Sequence, residues 1–110
     1  MLFSYEELKS YVEEDAVRFR QMGFEEAQIL PAVLEEYRHG EDFDSLENLC
    51  IHLTLALCFQ QWRLDGRGLI AAVRRLLEEG EERERREALG GGYAQYRADL
   101  ETLMPETAEC

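Results

Sequence analysis

Two histidines, three cysteines and a set of paired carboxylates are the residues of this sequence whose types could support chemistry. Their spacing argues against it. His39 stands beside Gly40 at the expected end of a helix, where an imidazole complements the helix dipole. His52 falls mid-way along an apolar stretch and reads as a hydrogen-bonded structural residue. Cys50 and Cys58 lie in the same stretch and read as small core side chains. With His52 they form no CxxC or HxxxH pair, so no zinc pattern is present. The doublets Glu6-Glu7, Glu13-Glu14, Glu25-Glu26, Glu35-Glu36 and Glu78-Glu79 point about a hundred degrees apart on a helix and share no acid–base site. A di-iron bundle needs ExxH pairs on facing helices, and the sequence has none. Asp42-x-Asp44 opens like a calcium loop, but Leu46 takes the fifth position and no glycine takes the sixth. Gly90-Gly91-Gly92 lacks the Lys-Ser/Thr of a phosphate loop. Arg83, Arg85 and Arg86 alternate with glutamates and make no nucleic-acid stripe. The expectation is a protein without catalytic, cofactor-binding or metal-ligating residues, and so not an enzyme.

Composition bounds what remains. The chain has 110 residues and 45% hydrophobic content, enough for one domain with one continuous core. The formal net charge is -12, and residues 1–50 carry 13 acids against 4 bases. Such a surface repels nucleic acid and anionic membranes and attracts basic partners. An odd cysteine count, with Cys110 at the end as an expected exposed thiol, argues against a disulfide framework. The first ten residues lack the basic and apolar regions of a signal peptide. The apolar stretch from Leu49 to Phe59 is broken by His52 and Thr54 and is too short to span a bilayer. The expected location is the cytosol.

Helical period sets the expected elements. Ser4 and Glu7 form a capping box, with Phe3 and Leu8 placed as a hydrophobic staple. Tyr5, Leu8, Val12, Ala16 and Phe19 make one apolar face, and Gly23 closes that helix. A second helix runs from about Glu25 to Arg38, with Ala27, Leu30, Val33, Leu34 and Tyr37 inward. Pro31 removes a backbone donor there, so the helix either bends or begins later. A third, from about Ser45 to Leu64, is apolar on nearly all sides and should be the central one. A fourth covers about Leu69 to Glu79. The EERERRE run, residues 81–87, reads as a solvated linker or a short exposed helix, and with the glycines forms a connector over 81–92. A last helix spans about Tyr93 to Met104, Pro105 stops it, and 105–110 should fray. The expected fold is an all-α bundle of about five helices. The Tyr93-Tyr96 face leaves either a monomer or a homodimer open.

With chemistry set aside, surface remains. The end of the second helix, the following turn and the start of the third are contiguous and acidic. Glu35, Glu36, Glu41, Asp42, Phe43, Asp44 and Glu47 therefore form the candidate partner-binding corner. Phe43 reads equally as a binding anchor or as a staple over the third helix. Trp62 reads as core filler.

Four segments in order, SYEELKSYV, QMGFEEAQILPAVLEEYR, ENLCIHLTLALCFQQWRLD and GGYAQYRADLETL, resemble the third-numbered family of small immunity proteins from bacterial polymorphic toxin systems. The resemblance covers about residues 4–103; Pro31 and the EERERRE run depart from it. It implies an all-helical cytosolic inhibitor that binds a cognate toxin domain, often a nuclease, with no catalytic residues and no contact residues fixed by motif. The alternative, from the charge alone, is an acidic helical adaptor, regulator or nucleic-acid mimic that docks on a basic host protein.

Overall fold

The computed structural model describes residues 3–38 and 43–106. Among them are six α-helices, one 3-10 turn and no strand. The helices are α1 (Tyr5–Gln21), α2 (Glu26–Tyr37), α3 (Ser45–Gln61), α4 (Arg67–Glu78), α5 (Glu82–Leu89) and α6 (Tyr93–Leu103), with the 3-10 turn at Gly90–Gly92. The all-α bundle is as expected. The connector region supplies the additional short helix.

Local chemistry explains where the helices start and stop. The Ser4 hydroxyl accepts the Glu7 amide and the Glu7 carboxylate accepts the Ser4 amide, both at 3.2 Å. These bonds satisfy donors that no helical carbonyl reaches. Phe3 sets its ring edge-on against Tyr11 at 5.2 Å. At the other end of α1, Gly23 takes a left-handed φ of 92°. The Phe24 amide then reaches back to the Phe19 carbonyl, and the two phenyl rings stack at 5.0 Å. The end of α3 repeats this arrangement without glycine. Arg63 adopts φ 60°, and the Leu64 amide bonds the Phe59 carbonyl at 2.8 Å. A side chain in that conformation is strained by about 1 kcal/mol or more.

The core is organised around α3. Every residue from Leu49 to Phe59 except the half-buried Leu57 is buried, because α1, α4 and α6 cover different sides of this helix. Leu8 and Val12 from α1, Val73 from α4 and Leu100 from α6 complete the interior. Tyr96, Leu100 and Leu103 are buried within it and Tyr93 is half-buried. The α6 face considered for dimerisation is therefore occupied by the protein's own core.

Helix α2 is continuous from Glu26, and Pro31 lies inside it. The Gln28 side chain accepts the Glu25 amide at 2.8 Å and fixes the start. Ile29, Val33 and Leu34 are the buried side of α2, while Ala27, expected inward, is exposed. Pro31 is tolerated because it too is exposed, and the carbonyl deprived of a donor is that of exposed Ala27.

Of the two readings of 81–87 the short, largely exposed helix is the one found, and Arg85 is its exception. Arg85 is only 7% exposed. Its guanidinium donates to the carbonyls of Leu77 and Gly80 at the end of α4, and to Glu82 at 3.1 Å. It thus caps α4 from the following helix, where cationic donors are favoured. Glu106 is also held, through a pairing with Arg74. The remaining tail, including Cys110, lies outside the described residues.

Candidate partner-binding surface

The acidic corner is built where α1, α2 and α3 approach one another. Glu35 is exposed on α2. Glu36, beside it, accepts a hydrogen bond from the Arg18 guanidinium of α1 at 2.6 Å. The same nitrogen of Arg18 lies 3.2 Å from Asp15. Asp15 also accepts a 3.2 Å hydrogen bond from the Tyr37 hydroxyl. Burial and the neighbouring Glu36 carboxylate push Asp15 up to about 6, against the lowering effect of Tyr37 and Arg18. Tyr37 is pushed well above the ordinary phenol value, first by burial, then by Asp15, Glu36 and Glu47. Its hydroxyl therefore stays a donor among three carboxylates at any physiological pH.

Across the corner, the Asp44 carboxylate accepts the Glu47 amide at 2.8 Å and so caps α3. Asp44 itself is exposed. Phe43 is half-buried and packs against the core. Glu47, expected on the surface, is 4% exposed. It shares a helical face with Cys50, Ile51 and Thr54, all buried. Glu41 and Asp42, together with His39, lie outside the described residues.

Glu35, Glu36 and Asp44 are thus exposed at the surface, Glu36 in its pairing with Arg18. The structure adds Asp15, Arg18 and Tyr37, which the sequence reading did not place there. The packing of α2 along α1 brings Asp15 and Arg18 to Glu36, a juxtaposition that no local spacing in the sequence signals.

Of the residues first considered for chemistry, His52, Cys50 and Cys58 are buried. The His52 imidazole is buried and its Nδ1 donates to the Asn48 carbonyl at 2.8 Å. Burial, then the charges of Arg75 and Arg38, lower its pKa despite that bond. Burial, with Asp44 and Glu47 adding to it, raises the Cys50 thiol to about 12. Burial raises Cys58 to about 11, and neither thiol ionises appreciably at neutral pH. A second polar cluster ties α1 to α6. Asp99 accepts from the Tyr5 hydroxyl at 2.5 Å, from Lys9 at 2.9 Å and from Gln95 at 2.9 Å. The buried Tyr5 and Asp99 are thereby satisfied, with Lys9 and Gln95 closing the cluster from the surface side. Among the described residues no group of three or more His, Cys, Asp or Glu side chains is disposed to hold a metal ion. No described helix is long and apolar enough to cross a membrane.

Comparison with protein-family models, with curated proteins and with solved structures finds no match to this chain.

Proposed function

We propose that this protein is a stoichiometric inhibitor, an immunity protein that binds and neutralises a cognate bacterial toxin domain in the cytosol of the producing cell. The observation that carries the reading is where the charge lies. The first fifty residues hold 13 acids against 4 bases, and Glu35, Glu36 and Asp44 are exposed around one corner of a helical scaffold. Domains that act on nucleic acid present basic clefts, which makes a nuclease toxin a fitting target. Carboxylates on helices meet such a cleft with their backbone already ordered, so less conformational freedom is lost on binding. Their field speeds encounter and fixes orientation, while apolar contacts lengthen the lifetime of the complex. The segment resemblance points to the same class.

The test is co-expression with the toxin domain encoded beside this chain, scored by cell survival and by co-purification. Rescue with a one-to-one complex is the expected outcome. Toxicity without a complex, followed by capture of a basic host protein, replaces the reading with that of an acidic adaptor or regulator.

A further inference from the structure

We infer that the groove between α2, the end of α3 and the start of α4 receives a basic amphipathic helix of the partner protein. The inference rests on the protein-binding reading and moves the apolar centre of the interface away from the acidic corner. Two adjoining depressions, of about 590 and 450 Å³, share Glu26 and Ala27 as common wall. Their apolar lining comes from Phe24, Leu30, Phe59, Leu64 and Leu69. Helix α2 lies along α1 and meets α3 only lightly, which leaves this side of it open. Ala27 and Pro31, one turn apart and both exposed, give α2 an apolar outer edge facing the groove. The strained Arg63 is the residue that turns Leu64 into the wall.

Charge selects the occupant. Glu25, Glu26 and Asp65 stand on the rim. Pro31 has no amide hydrogen to give the Ala27 carbonyl, which adds a backbone acceptor beside them. Arg20 lies in the lining with its guanidinium 4.6 Å above the Trp62 ring, and Arg67 hydrogen-bonds Asp65, so the net negative charge of the rim comes from Glu25 and Glu26. An apolar floor with an acceptor-rich rim matches a helix carrying leucine-like anchors one turn apart with Lys or Arg beside them. A second copy of this chain would bring a net charge of -12 to an acidic rim, and an anionic polymer would be repelled in the same way.

The full chain is titrated with a short synthetic peptide of leucine and lysine at helical spacing. Fluorescence of Trp62, the single tryptophan, and backbone amide shifts are recorded. Saturable binding is expected, with shifts confined to residues 24–31 and 59–69. A27R, at an exposed helical position, should weaken it about tenfold or more. E26K provides a second exposed variant with an effect in the same direction. A peptide with glutamate in place of lysine should not bind. Binding that ignores both variants, or tolerates the glutamate peptide, overturns the inference. Shifts centred on Glu35, Glu36 and Asp44 overturn the groove as the site while leaving the inhibitor reading intact. Groove shifts that follow protein concentration without peptide reassign it to self-association and overturn the inference as well.

Discussion

Two charge-rich segments, residues 35–47 and residues 81–87, look alike in the sequence, and each sends one charged residue into the interior to a different end. In the first, the outermost carboxylates stay at the surface, one caps a helix and the last, Glu47, is buried. In the second, six charged residues cover a short helix while the seventh, Arg85, enters the interior and closes the end of α4. Charge density therefore says little about which charges are structural. What decides it is whether orphan backbone groups of another element lie within reach. The end of α4 presents such carbonyls to Arg85.

The largest test of that contrast is Arg85→Ala beside Arg83→Ala. Loss of Arg85 strips two carbonyls of a charged donor and should cost about 3 kcal/mol in urea denaturation. Loss of Arg83, exposed and joined only to Glu87, should stay within about 0.5 kcal/mol. Equal costs would break the comparison. Next in size is Asp44→Ala, which removes the α3 cap and should cost about 1 kcal/mol, whereas Glu35→Ala should leave stability unchanged.

A smaller effect separates the corner by pH. The Asp15 carboxyl is raised from its ordinary value of 3.8 to about 6, so the fold favours its protonated form. That contribution is fully present below the ordinary value and is lost as pH rises through about 6. Asp15→Asn should therefore raise the melting temperature at neutral pH and flatten its rise on mild acidification. His52 works with the opposite sign, since its lowered pKa favours the neutral ring and stability falls on acidification. Melting curves of D15N that keep the wild-type pH slope between about pH 5 and 7 would remove Asp15 from this account. The smallest effect on stability belongs to Glu35→Lys, expected within about 0.5 kcal/mol. Its signature lies in binding, as a slower association with the basic partner whose salt dependence is weaker than that of the wild type.

Much of the fold was legible because helices carry their signals locally. Ser4 with Glu7, Gly23 and the apolar steps from Tyr5 to Ala16 define α1 without reference to any other part of the chain. The all-round apolar pattern of α3 likewise announced its central position. The misread residues are those whose environment is set at a distance. Arg85 has no apolar neighbour within 81–87, and the carbonyls it caps belong to α4. Glu47 was read with the acidic turn before it, although Cys50, Ile51 and Thr54 on its own face already pointed inward. Ala27 was taken as core by period, yet α2 turns Ile29 inward instead and leaves the groove side open. In the candidate site, Glu35, Glu36 and Asp44 were found by their sequence contiguity. Asp15 and Arg18 were not, because only the hairpin brings them to Glu36.

The close approach of Gly92 to Tyr5 sets an order of events during synthesis. A Cβ at Gly92 would sit 2.8 Å from the Tyr5 Cβ, and the Tyr5 hydroxyl finds its acceptor in Asp99, 94 positions later. On the ribosome the first helix emerges long before either partner exists. Its aromatic ring must wait against a half-made interior, with the phenol still hydrated, until the last helix leaves the exit tunnel. The seat of the first residue of α1 is thus completed by α6, far along the chain. A nascent chain stalled before residue 92 should leave α1 open to protease, and emergence of α6 should protect α1 and α6 in one step.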